Sequence, residues 1–145
     1  NIKHFSPDNI QKISSESTAI VVPQDCISCL EYTDLMEVKT GVSDEWIDAF
    51  GVNVKAVPAY NVNKFSPYGV PFHPSQMGGV GFVFKVGEMI FYHTGDTDFI
   101  PEMDGLYVDL MLIPVGGTYF MIYEEAHAIE KKIIQNSLSQ CILEV

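Results

Sequence analysis

The segment GFVFKVGEMIFYHTGDTDFIPE, residues 81–102, carries the clearest structural pattern in the chain. Along Phe82–Val86 the side chains alternate with the period of two that is typical of a β-strand. Gly87-Glu88 predicts a tight turn, after which Met89–Tyr92 returns as a second strand. The segment therefore predicts a β-hairpin at the centre of a sheet.

An acidic turn follows this hairpin. His93–Asp98 places an imidazole, two hydroxyls and two carboxylates where a buried strand leaves its sheet. In layered α/β proteins this is a common position for a ligand or metal site. A second interpretation is an Asx-type turn, in which Asp96 accepts hydrogen bonds from nearby backbone amides. The local sequence is compatible with both interpretations.

The composition indicates an acidic globular domain. The chain has 145 residues, 47% of them hydrophobic, which is enough for a sizeable core. Its 8 basic and 19 acidic residues give a net charge of −11, so electrostatic repulsion argues against nucleic acid and anionic membranes as partners. Because the sequence shows no apolar run of membrane-spanning length and no signal-peptide pattern, we expect a cytoplasmic protein.

Helices and strands are predicted to follow one another in mixed order. We predict helices over residues 6–16, over a short stretch from residue 23 and over 124–136, and strands at 18–22, 52–57, 108–114 and 141–145, with an edge element at 33–41. This order indicates an α/β (α+β) fold in one domain without repeats. Residues 58–74, rich in proline and aromatic side chains, predict a long irregular loop of the kind that is often functional.

Two local predictions concern packing. We expect Ile10 and Ile13 of the first helix to face a core, and residues 43–47 to form a helical turn or a loop. The C-x-x-C pair Cys26 and Cys29 lacks a second pair, so we favour two small packed residues over a redox or metal site there.

Several segments in the same order resemble the metallo-β-lactamase superfamily. They are HFSPDNIQKIS (4–14), VPAYNVNKF (57–65), GVPFHP (69–74), IFYHTGDTDFIPEM (90–103) and LMLIPVGGTYFM (110–121). Within the superfamily they resemble the small metal-dependent hydrolases that include ascorbate-6-phosphate lactonase-like proteins. The resemblance implies a four-layer αββα sandwich formed by residues 1–145, with a metal at one edge. It also implies that the usual N-terminal strands are missing. We therefore expect a homo-oligomer in which a second copy covers the exposed sheet edge, and the alternative is a fragment or a rearranged relative.

The resemblance also implies a set of metal ligands. His4 matches the last histidine of the family motif H-x-H-x-D-H, and Asp96 matches the metal-binding aspartate. Asn61 stands where a further family histidine is usual, and His73 is the nearby candidate to replace it, either as a ligand or as a loop anchor. His4, His73 and Asp96 are thus the predicted ligands of zinc or manganese, with His4 and Asp96 as catalytic residues. Lys3 occupies an aspartate position, and pairing of Lys3 with Asp96 in place of the metal is the alternative.

The remaining candidates are assigned to the substrate side of the site. Asn61, His93 and Thr118 are the predicted substrate-binding residues, and His127 is expected to be a solvated position on the last helix. In the family that helix usually begins with a Thr or Asp cap, whereas Ile122 precedes it here. We therefore expect only its acidic first turn to stabilise the start of the helix. The function implied is hydrolysis of a small ester, lactone or phosphoester, and the alternative is a catalytically inactive relative that serves as a small-molecule-binding or structural module.

Overall fold

The structure, a computed structural model, describes residues 6–23, 26–27, 37–40, 44–134 and 140–144. Lys3, His4 and Cys29 lie outside these residues, as does most of the short helix predicted from residue 23. The predictions that concern them stay predictions.

A six-stranded mixed sheet forms the centre of the described chain. Its strands, in spatial order, are β3 (Trp46–Ala49), β4 (Val52–Pro58), β5 (Val80–Val86), β6 (Met89–His93), β7 (Leu110–Pro114) and β8 (Gln140–Glu144). The pairs β3–β4, β4–β5 and β5–β6 are antiparallel, whereas β6–β7 and β7–β8 are parallel. A separate parallel pair joins β1 (Ala19–Val22) to β2 (Glu37–Thr40).

The predicted central hairpin is confirmed as β5 and β6. Val86 pairs with Met89 across the Gly87-Glu88 turn, where Gly87 has a φ of 60°. Phe84 and Phe91 face each other in this register, and their rings stack with centroids 5.2 Å apart. Such aromatic cross-strand pairs stabilise a sheet and fix its register.

The second helix, α2 (Tyr123–Ile133), buries one face on the sheet. Ala126, Ile129 and Ile133 are buried, as predicted, in a core that also contains Tyr92 and Met111. The helix has a side-chain contact at its start that the sequence did not suggest, because a Glu125 carboxylate oxygen accepts the Ile122 N–H at 2.9 Å. Ile122 offers no side-chain cap, as expected, and the acidic first turn stabilises the helix start through this Glu125 contact.

Two further predictions are corrected. The first helix, α1 (Pro7–Ile13), begins at the expected Ser6 cap, but it buries none of its residues and Ile13 is 84% exposed. Ile10 is only partly buried, and neither Ile10 nor Ile13 packs against the core cluster of the described residues. Residues 46–49 form a strand instead of a helical turn or loop, because Phe50 and Gly51 both adopt positive φ and turn the chain into β4.

The two helices of the described chain have 7 and 11 residues. None of the helices within the described residues is long and apolar enough to cross a membrane.

Candidate metal site

The topology brings three loops to one edge of the sheet. Since β4 and β6 are both antiparallel to β5, and β6 is parallel to β7, these three strands end at the same edge. Residues 59–74 follow β4, the acidic turn follows β6, and the Gly116-Gly117 segment follows β7. The carboxyl ends of such strands are where α/β proteins commonly place their ligands.

The loop at residues 59–74 folds back on itself as an irregular hairpin. The Asn61 N–H donates to the His73 carbonyl at 2.8 Å, and the Phe72 N–H donates to the Lys64 carbonyl at 3.2 Å. These contacts close the loop at its base. They bring His73 beside Asn61, twelve positions earlier in the sequence.

The acidic turn is held against this loop by Thr97. The Thr97 hydroxyl is buried, accepts the Tyr60 N–H at 3.1 Å and lies 3.0 Å from the Tyr60 carbonyl. Gly95 has a φ of 66°, and a Cβ there would lie 3.0 Å from the Val80 carbonyl oxygen. Glycine is therefore required at this position, because an L-side chain is strained at positive φ and the space is already filled.

His73 and Asp96 come together at this edge. The His73 Nε2 atom lies 3.5 Å from Asp96 Oδ2, and both side chains are mostly buried. On its other side the ring places Nδ1 at 3.1 Å from Asn61 Oδ1 and at 3.3 Å from the Tyr119 carbonyl oxygen. The structure thus brings together two of the three predicted ligands, which come from two different loops.

The separation of these two atoms fits shared ligation of one ion. Nitrogen and oxygen ligands at about 2.0–2.2 Å from a tetrahedral zinc ion lie about 3.3–3.6 Å from each other. Within the described residues, no group of three or more His, Cys, Asp or Glu side chains is arranged to hold a metal. His73 and Asp96 therefore fit as two ligands of a site, and the ligation by His4 stays a prediction.

A buried charge network lies behind the pair, and the sequence analysis missed it. Asp98 is fully buried, and one of its carboxylate oxygens accepts the N–H groups of Val62 and Asn63 at 2.8 and 2.9 Å. Its other oxygen lies 3.1 Å from the Lys64 ammonium and 3.2 Å from the Asn61 amide nitrogen. A carboxylate without solvent requires this kind of compensation.

Lys64 extends the network to α2. Its ammonium lies 2.7 Å from Glu125 Oε2 and also contacts the Asn63 amide oxygen. Partial burial alone would lower the pKa of Lys64, but hydrogen bonds to Glu125 and Asp98 outweigh it and raise that pKa. Burial likewise acts to raise the pKa of Glu125, whereas hydrogen bonds from Lys64, Asn63 and the Ile122 N–H leave it lowered. The one sequence signal for this network was a lysine within an otherwise uncharged loop.

The other predicted site residues have separate locations. Asn61 is buried between His73 and Asp98, and the His93 ring accepts the Gly95 N–H at 3.1 Å. Thr118 is exposed and lines an open pocket of about 500 Å³ together with Lys64, Phe65 and Phe72. Their roles toward a substrate stay predictions. His127 lies on an exposed part of α2 and pairs with Glu130 at 3.2 Å, as a solvated position should.

Comparison with known proteins shows which family the chain belongs to. The profile of the beta-lactamase superfamily domain matches residues 3–137. The chain belongs to the beta-lactamase superfamily. A UPF0173 metal-dependent hydrolase of Caldivirga maquilingensis is 33% identical over 121 residues, which cover 79% of this chain and 49% of the relative. The chain spans about half the length of the curated relatives it matches.

Solved structures agree on the superfamily fold. A Parabacteroides distasonis protein with a provisional metal-dependent-hydrolase name superimposes with a TM-score of 0.74 at 20% identity, over 97% of this chain and 70% of the other. The metallo-beta-lactamase fold protein YhfI of Bacillus subtilis gives a TM-score of 0.62 at 12% identity, over 94% of this chain and 55% of YhfI. The predicted α+β class and metallo-β-lactamase fold are confirmed.

Proposed function

We propose that this superfamily member takes part in metal-dependent hydrolysis of an ester, lactone or phosphoester. The observation that carries the proposal is the 3.5 Å approach of His73 Nε2 to Asp96 Oδ2 at the ligand-binding edge of the sheet. Its relatives are named as metal-dependent hydrolases, which supports the same class of activity.

The charges around the pair favour a cation between the two side chains. His73 Nδ1 faces two oxygen acceptors, so this nitrogen carries a proton. Nε2 faces the Asp96 carboxylate, so either its own proton or a metal cation must lie between the two atoms, and the 3.5 Å separation allows both atoms to bind one metal ion. An imidazole and a carboxylate suit zinc or manganese.

The residues near the pair have distinct tasks in the proposed reaction. His73 and Asp96 would hold a divalent metal there, which would polarise the carbonyl or phosphoryl group of the substrate and make a water molecule a better nucleophile. We assign to Thr118, which lines the pocket together with Phe72, a hydrogen bond to a substrate oxygen. The pocket walls of Phe65 and Phe72 suit an apolar part of a small substrate.

The first test is the metal content of the purified chain, measured by plasma mass spectrometry after dialysis without chelator. We expect about one or two equivalents of zinc, manganese or iron per chain. The variants Asp96→Ala and His73→Ala should each lose most of it. His127→Ala is the matched control, because this exposed histidine lies on α2, where it pairs with Glu130 and stacks on Tyr123.

A panel of ester, lactone and phosphoester substrates then tests the reaction. Hydrolysis of one class that requires added metal and is lost in Asp96→Ala supports the proposal. Wild-type protein that binds none of the three metals, and whose thermal stability none of them changes, contradicts it. That result would favour the inactive relative instead.

A further inference from the structure

The Asn61 amide lies between the His73 ring and the buried Asp98 carboxylate. Its oxygen accepts the His73 backbone N–H at 2.8 Å, and its nitrogen donates to the Tyr119 carbonyl at 2.9 Å and to Asp98 at 3.2 Å. A backbone N–H only donates, whereas a carbonyl and a carboxylate only accept. The amide therefore has one possible orientation. Rotating it by 180° would place its nitrogen against the donor and its oxygen against the two acceptors.

The fixed amide determines which ring nitrogen of His73 carries the proton. Nδ1 lies 3.1 Å from the Asn61 oxygen, which cannot donate, and 3.3 Å from the Tyr119 carbonyl oxygen. Only a protonated Nδ1 makes favourable contacts with two acceptors. In the neutral ring Nε2 is then unprotonated, and this is the atom that faces Asp96.

The orientation of Asn61 is itself held by groups that cannot rearrange cheaply. Asp98 is fully buried, and the backbone N–H groups of Val62 and Asn63 fix one of its oxygens. The other oxygen receives the Asn61 amide and lies 3.1 Å from Lys64. A continuous set of contacts thus runs from Lys64 through Asp98 and Asn61 to the His73 ring.

We propose that Asn61 is a positioning residue, which holds the His73 ring in its Nδ1–H tautomer and so presents the Nε2 lone pair to the metal. The inference rests on the proposed metal-dependent function. It assigns to Asn61 a role through His73, distinct from contact with a substrate. Partners that orient a ligating imidazole in this way typically contribute 10–100-fold to metal affinity.

The tautomer is measured without metal, by long-range ¹H–¹⁵N correlation spectra of the metal-free protein at about pH 8, above the ordinary imidazole pKa of about 6.5. We expect the Nδ1 atom of His73 to carry a proton in the wild type. Asn61→Ala should populate the Nε2–H form. Asn61→Asp keeps an oxygen toward the ring and should retain the proton on Nδ1, at lower stability, because its second oxygen faces the Asp98 carboxylate and the Tyr119 carbonyl. The His127 signals serve as an internal control and should not change.

Zinc affinity, measured by competition with a chromophoric chelator, gives the second readout. Asn61→Ala should weaken binding by about 10–100-fold. Asn53→Ala is the control, since Asn53 is exposed on β4 away from the site, and its affinity should equal that of the wild type. A merely structural role of Asn61 would lower thermal stability in both Asn61 variants without separating their tautomers.

The outcomes separate the two proposals. A wild-type His73 in the Nε2–H form overturns the inference even if no variant folds, and so does an unchanged tautomer in Asn61→Ala. If the wild type binds no zinc, manganese or iron, the proposed function fails, and the metal-free spectra still decide whether Asn61 sets the tautomer.

Discussion

Asp98 and Asp96 stand two positions apart and have opposite environments. Asp98 is fully buried and surrounded by hydrogen-bond donors, whereas the Asp96 side chain is 26% exposed beside His73. Both carboxylates come from the same acidic turn, so the local sequence does not distinguish them. The structure assigns the anchoring of the loops to Asp98 and leaves Asp96 at the open side of the site.

Removing the Asp98 carboxylate should strongly destabilise the fold. Asp98→Ala removes one of the two carboxylates that pair with the buried Lys64 ammonium, and with it the acceptor of two backbone N–H groups. Breaking a buried ion pair in this way costs about 3–5 kcal/mol. The free energy of unfolding is measured by urea titration. Asp104→Ala is the control, because that exposed carboxylate pairs with Lys132 at the surface and should contribute about 0–1 kcal/mol. Equal effects of the two substitutions would contradict the anchoring role.

Tyr92 offers a substitution that should stabilise the protein. Its side chain is fully buried in the core, and its hydroxyl has no hydrogen-bond partner among the described residues. Burial, with a contribution from Glu102, raises the pKa of Tyr92, so the hydroxyl stays neutral and simply loses its hydration. Tyr92→Phe should therefore raise the free energy of unfolding by about 1 kcal/mol, measured by urea titration. A loss of stability would reveal a partner for this hydroxyl.

Among the secondary-structure elements, α2 and the loop at residues 59–74 are joined by the Lys64–Glu125 ion pair. The same Glu125 carboxylate accepts the Ile122 N–H at the start of the helix and an Asn63 amide hydrogen from the loop. One side chain thus caps the helix and attaches it to the loop that carries His73. The position of His73 consequently depends on the start of α2.

This link should appear in the pH dependence of stability. Because the pKa of Glu125 is lowered in the folded state, its charge stabilises the protein above the ordinary pKa of 4.5, and this contribution is lost as the pH falls through the lower folded-state value. Glu125→Gln should cost roughly 1–2 kcal/mol at pH 7. The difference from the wild type should shrink as the pH falls toward 3, measured by urea titration across this range.

Glu124→Gln provides the matched control for that experiment. Glu124 is the exposed neighbour in the same first turn, so its substitution should change stability by less than about 0.5 kcal/mol at any pH. A difference between wild type and Glu125→Gln that stays constant with pH would show that the carboxylate charge contributes nothing.

The elements that the sequence predicts correctly are those with strong local signals. The β5–β6 hairpin and the buried face of α2 follow from periodicity alone. The predicted burial of Ile13 is wrong, because burial depends on which elements pack together. The strand at Trp46 was missed, because it depends on a Phe50-Gly51 turn without an Asn-Gly signature. Local patterns specify local structure, while packing partners are set by the complete fold.

At the scale of the whole molecule, the site also combines residues that local patterns identify with residues that only the complete fold brings together. Resemblance to the family singles out His73 and Asp96, and the structure brings them together from different loops. The network of Lys64, Asp98 and Glu125 was invisible, because its members are separated by up to 61 positions and make no short motif. Only the convergence of the loops after β4, β6 and β7 creates it.

The overall charge should make stability depend on salt. The net charge is −11, so repulsion among the surface carboxylates lowers the free energy of unfolding. Raising ionic strength from about 0.01 to 0.1 M shortens the Debye length from about 30 to 10 Å and screens this repulsion. We expect Tm to rise by on the order of 2–4 °C, the shift that about 1 kcal/mol produces in a chain of this size.

Sucrose of equal osmolality, compared with sodium chloride by calorimetry, controls for effects other than screening. A Tm that falls with salt would show that attractive pairs such as Lys64 with Asp98 and Glu125 outweigh the repulsion.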